Sequence, residues 1–137
     1  MSDDFAQCMV TNSRMAARAI TRRYDRHLRG FGVTSTQLSL LAAIRDMGGR
    51  TVSELAESRG FDRTTLTRNL DRLEAMGLIE SRAAERGNGR ICVVTESGGA
   101  LMKELLPIWR GAQDEMRTLL GDGFEGTLET LKRLARV

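Results

Sequence analysis

The stretch Thr51–Arg82, TVSELAESRGFDRTTLTRNLDRLEAMGLIESR, decides the fold. Thr51 or Ser53 can cap a short helix that carries Val52, Leu55 and Ala56 and stops at Gly60. Asp62 caps the next helix, about Asp62 to Met76, where Leu66, Leu70, Leu73 and Gly77 recur at three- and four-residue steps as an inner face. Two short helices joined by a tight glycine-containing turn form a helix-turn-helix pattern.

Working outward, Leu78-Ile79-Glu80-Ser81-Arg82 reads as a strand. The polar loop Ala84-Glu85-Arg86-Gly87-Asn88-Gly89 separates it from Arg90-Ile91-Cys92-Val93-Val94-Thr95, a second strand richer in β-branched residues. A hairpin directly behind a helix-turn-helix is a wing. Upstream, Thr34-Ser35-Thr36 starts a helix with Leu38, Leu41, Ala42 and Ile44 that runs to Gly48-Gly49. Before it, Asp3 to Arg29 reads as one long helix, with Phe5, Cys8, Met9, Asn12, Ala16, Ala19, Ile20, Arg23 and His27 on one stripe. Arg14, Arg18, Arg22, Arg26 and Arg29 form a ladder on the opposite side, and Gly30 stops the helix. Downstream, a helical stretch from about Glu96 to Leu120 contains Pro107, which should interrupt and bend it. A last helix, Phe124 to Arg136, has Phe124, Leu128, Leu131 and Ala135 on one face.

The expected fold is therefore mainly α with a small β-hairpin. A winged helix-turn-helix lobe (34–98) lies between terminal helices (1–30 and 100–137), all within a single domain, 1–137. Helices apolar on one side must bury that side against something. The simplest use of the terminal helices is to interlock with those of a second chain, making a homodimer; packing on their own lobe is the plainer alternative.

Composition bounds the function. The 137 residues are 41% hydrophobic and 28% charged, an ordinary globular balance. No apolar run approaches the roughly 18 residues needed to cross a bilayer. The acidic start MSDDFAQ lacks the basic and apolar regions of a secretory signal, so a bacterial-type cytoplasmic location is the default and no membrane partner is expected. Cys8 and Cys92 are too few for a disulfide framework, and one histidine leaves no zinc or iron set. With no nucleophile–base pair and no phosphate-binding glycine fingerprint, neither an enzyme nor a cofactor is expected.

Net charge is +3, with a pI near 9.4, and lysine occurs only at 103 and 132 among 21 basic residues. Arginine's planar fork suits phosphates and guanine edges, although GC-rich codons give the same bias. The helix from about Asp62 to Met76 carries Arg63, Thr64, Thr65, Arg68 and Arg72 on its outer face. These are donors and short hydroxyls near the helix start, the part of such a motif that enters the major groove of double-stranded DNA. Arg68 can pair bidentately with guanine, and Thr64 and Thr65 suit phosphates or a thymine methyl. Thr51 and Ser53 are phosphate contacts or plain caps. Arg86, Asn88 and Arg90 of the wing can reach the minor groove or its phosphates, with Arg86 foremost. A dimer would set two such helices about one DNA turn apart to read a pseudo-palindrome. A winged-helix module used only for protein contacts is the rival, but it needs no such donor set.

At GVTSTQLSLLAAI, TVSELAESRGFDRTTLTRNLDRLEAMGLIESR and VVTESG the chain resembles the MarR (multiple antibiotic resistance regulator) family of transcription factors, over nearly its whole length. The resemblance implies an obligate, triangular homodimer with intertwined terminal helices. It implies that Asp71 braces the wing through Arg86 or Arg90. It also implies a repressor released from its operator when a small, often aromatic or phenolic anion binds between the dimer and DNA-binding lobes. The family's OhrR type instead senses oxidation at a first-helix cysteine, which makes Cys8 a candidate redox sensor beside its plainer reading as a packing residue. The loop Glu85-Arg86-Gly87-Asn88-Gly89-Arg90 departs from the family's acidic–any–arginine triplet, which leaves open which arginine tips the wing.

Overall fold

The computed structural model describes residues 4–87 and 89–136. Six α-helices and one two-stranded antiparallel sheet are found among them: α1 (Met9–Leu28), α2 (Ser35–Asp46), α3 (Val52–Arg59), α4 (Arg63–Ala75), β1 (Ile79–Ala83), β2 (Arg90–Val94), α5 (Glu96–Leu120) and α6 (Phe124–Ala135). The fold is mainly helical with a wing, as the sequence pattern requires.

Local chemistry sets each boundary. At α2 the Gln37 N–H donates to the Thr34 hydroxyl (3.2 Å), while the Thr34 N–H donates to the Gln37 side chain (3.0 Å). Thr51 and Glu54 exchange the same pair of bonds at α3 (3.2 and 3.0 Å), so Thr51 is the cap and Ser53 lies inside the first turn. Such reciprocal capping satisfies donors that a helix start leaves unpaired. Gly60 closes α3 in the left-handed region (φ 69°), which glycine enters without the steric cost of a Cβ.

Three features differ from the sequence expectation. The first helix does not run unbroken to Arg29: a 3₁₀ turn, Phe5–Gln7, precedes α1, and extended Cys8 separates them. Asp4 caps that turn by accepting from the Ala6 N–H (3.1 Å), and Asn12 donates back to the carbonyls of Ala6 (2.7 Å) and Cys8 (2.8 Å). Cys8 is thus the N-cap of α1 and not a member of its stripe. Second, α5 passes through Pro107 without interruption. Pro107 is exposed, and so is Lys103, whose carbonyl the proline leaves without a donor. Third, β1 begins at Ile79 and β2 ends at Val94, because Thr95 is the cap of α5: its side chain accepts from the Gly98 N–H (3.0 Å).

The core centres on the winged lobe, with Leu28 of α1 and Leu105 of α5 closing it. Leu40 and Leu41 of α2, Leu55 of α3, Leu66, Leu70 and Leu73 of α4, Ile79 of β1 and Leu105 of α5 are fully buried. The hairpin pairs Ile79 with Val94, Ser81 with Cys92 and Ala83 with Arg90, and the Ala84 N–H donates to the Gly89 carbonyl (2.8 Å) to close the loop. The lobe is fastened to α5 at Thr95, whose hydroxyl donates to the Gly77 carbonyl (2.7 Å). Gly98 packs so tightly there that a Cβ would lie 2.2 Å from the Leu78 carbonyl oxygen. By contrast α6 buries only Phe124 within the protomer. No described helix is long and apolar enough to cross a membrane.

Candidate nucleic-acid interface

The outward face of α4 follows from its inward one. With Leu66, Leu70 and Leu73 buried, the 3.6-residue period turns Thr64, Arg68 and Arg72 away from the core, with Arg63 flanking; all four are exposed. The start of α4 is held by Asp62, which accepts from the N–H groups of Thr64 (3.1 Å) and Thr65 (3.2 Å) and from the Thr65 hydroxyl. That hydroxyl above all, then the two N–H groups, keeps the Asp62 carboxyl below its ordinary pKa. The Thr65 hydroxyl is therefore engaged within the cap, whereas Thr64 spends only its backbone there. Buried Gln37 of α2 donates to Asn69 of α4 (3.5 Å), a polar tie between the two helices.

Thr51 sits where α3 meets the wing, in an isolated antiparallel bridge with Ile91. Exposed Ser53 follows it in the first turn of α3. In the wing, Arg86 is exposed on the loop, and Asn88 lies outside the described residues. Arg90 has a different setting. Its guanidinium donates to Asp71 (3.0 Å), Glu74 (2.9 Å) and the Ser81 hydroxyl (2.7 Å).

Away from this face, a cleft of about 920 Å³ lies between α1, α2 and α5. Its walls include Ile20, Tyr24, His27, Lys103 and Trp109. Tyr24 donates to Gln113 across α1 and α5, and burial raises its phenol pKa. His27 meets Glu115 at 2.9 Å, and that hydrogen bond lowers the Glu115 carboxyl. Cys8 is half-buried at the N-cap of α1, where the nearby backbone N–H groups of Thr11 and then Val10 lower its thiol pKa. Cys92 is buried under the wing, and burial raises its thiol. Among the described residues no group of three or more His, Cys, Asp or Glu side chains could hold a metal ion.

Comparison with known proteins gives a consistent picture. Residues 31–91 match the model of the MarR family. The chain is 36% identical to the M. tuberculosis transcriptional regulator MosR, solved in complex with DNA, with a TM-score of 0.84 over 95% of each chain. The chain belongs to the MarR family. It is thus a transcription regulator and not an enzyme. A mutant MarR from E. coli bound to operator DNA superimposes with a TM-score of 0.80 at 25% identity, covering 96% of this chain and 97% of that one. The transcriptional repressor NicR of Pseudomonas putida is 31% identical over 66% of this chain and 63% of its own length.

Within this MarR-family chain the carboxylate of Asp71 meets Arg90 and not Arg86, so the arginine alternatives divide between two settings: Arg90 packed against α4 and Arg86 exposed at the loop. Sequence reading missed Glu74 and Ser81, the other partners of Arg90. The signal was present only in part, since Asp71 and Glu74 are three residues apart and share a helix face. The resemblance implies a ligand between the lobes, but no spacing gave the walls of the cleft, which come from three helices far apart in the chain.

Proposed function

We propose that the protein is a homodimeric repressor that binds a pseudo-palindromic duplex, with α4 of each protomer in the major groove. The observation that carries this reading is the outward set Thr64, Arg68 and Arg72 on a helix whose opposite face is fully buried. MosR and E. coli MarR, each solved on DNA, lend their mode of action to it. Arg68 reads a guanine edge; Arg63, Thr64, Thr65 and Arg72 surround it; Thr51 and Ser53 meet phosphates; Arg86 enters the minor groove. Asp71 acts as the wing brace. The terminal helices supply the dimer: Phe5, Met9, Leu119, Leu131 and Leu134 are exposed apolar side chains with no use in a lone protomer.

A small aromatic anion is the proposed releasing ligand. It would fill the cleft between α1, α2 and α5, with Trp109 and Tyr24 against its ring and Lys103 near its charge. The cytoplasm is the proposed location.

Binding to genomic duplex fragments, followed across salt concentration, tests the reading. Affinity is expected to fall steeply as salt rises, because phosphate contacts release counterions. Absence of binding at low salt, or affinity indifferent to salt, would sink it.

A second reading is favoured by the place of Cys8, half-buried as the N-cap of α1, where the N–H groups of the first turn lower its thiol pKa. A thiolate there would sense hydroperoxide. If peroxide still releases DNA from a Cys8→Ser variant, Cys8 is not the sensor.

A further inference from the structure

The densest polar cluster outside the DNA-facing residues lies at the base of the wing, and its centre is Glu74. One Glu74 oxygen accepts from the backbone N–H of Ser81 (3.1 Å). The other accepts from both the Ser81 hydroxyl (3.0 Å) and the Arg90 guanidinium (2.9 Å). The Ser81 hydroxyl also accepts from Arg90 (2.7 Å), which closes a ring of three side chains, and buried Cys92 lies 4.0 Å beneath it. Glu74 therefore grips both strands of the hairpin, β1 through Ser81 and β2 through Arg90. Asp71 holds only one guanidinium nitrogen of β2. Contacts to both strands constrain the hairpin's tilt more than a contact to one strand does, and they add to the Thr51–Ile91 bridge and the buried side chains beneath.

Resting on the DNA-binding reading above, we propose that Glu74 and Ser81 are positioning residues that set the wing's angle to α4, so that Arg86 meets the duplex at a fixed place while Arg90 serves the clamp. The charge of Glu74 makes this role separable from a passive one. A carboxylate on a lobe that approaches phosphates repels them, so neutralising a bystander there tightens binding. Neutralising a clamp weakens it.

The test is Glu74→Gln in the full-length protein, titrated with a bound genomic fragment. The expected result is about five- to tenfold weaker binding, the low end of what coupling between sites is worth. Hydrogen exchange at residues 81–83 and 90–94 should quicken in the free protein while α1 and α5 stay protected. Arg86→Ala should cost less in the Glu74→Gln background than in the wild type, because the wing is already misplaced. Ser81→Ala, which leaves the charge unchanged, should shift binding and exchange the same way, and it carries the test if Glu74→Gln does not fold. Binding as tight as wild type or tighter, or an undiminished Arg86→Ala effect, overturns the clamp while leaving the DNA-binding reading intact. A wild type that binds no duplex overturns that reading and the clamp's purpose with it.

Discussion

Arg68 stands on the outward face of α4 with no ion-pair partner among the described residues, while Arg90 is spent on three acceptors. The two arginines should therefore answer differently to truncation. Arg68→Ala is expected to lose about 1–3 kcal/mol of preference for the cognate fragment over one with the contacted guanine changed. Competition binding checks this, and equal loss on both fragments would remove Arg68 as a base reader. Gly98 gives a second residue-scale prediction. Because a Cβ would lie 2.2 Å from the Leu78 carbonyl oxygen and 2.8 Å from Val94, Gly98→Ala must move the backbone where α5 leaves the wing. A loss of about 1–3 kcal/mol in denaturant unfolding is expected. The outward position of Arg68 was legible from the leucine period. The ring of Glu74, Ser81 and Arg90 was not, since strand register and not spacing brings Ser81 and Arg90 to the helix.

At the scale of the element, α4 depends on its cap and its buried stripe. Leu70 is fully buried in the core, and Leu70→Ala should cost about 2–5 kcal/mol in unfolding free energy. The Asp62 cap should make stability depend on pH in one direction. Its folded pKa lies below the reference value of 3.8, so its stabilising effect is complete above that pH and is lost as pH falls through the folded value. The gap in thermal midpoint between wild type and Asp62→Ala should hold from about pH 7 to pH 5 and close in stronger acid; a gap that stays open there would show that the carboxylate charge is irrelevant. Helix starts at Thr34, Thr51 and Asp62 were readable because each bonds within three residues of itself; Thr95 bonds the same way but reads in the sequence as the end of the second strand. Pro107 misled because its effect depends on whether the freed carbonyl faces solvent or core, and Cys8 because Asn12 ties back the turn before it.

For the whole molecule, the exposed apolar side chains gather at the chain ends, and α6 has almost nothing of its own protomer to cover. Leu131→Asp combined with Leu134→Asp should convert a dimer into a monomer in analytical ultracentrifugation and weaken operator binding with it. Unchanged sedimentation would direct the search for the dimer surface elsewhere. Trp109 is the single tryptophan and lines the cleft, so a ligand seated there should alter its fluorescence.

What the sequence by itself determined is the order and kind of the elements and the outward face of α4, because caps and hydrophobic period act over a few residues. Only the tertiary structure decided that Arg90 is clamped, that Glu74 is its anchor, that a cleft opens between α1, α2 and α5, and which apolar faces stay uncovered. Each of these depends on how separate elements pack and pair, which no local pattern encodes.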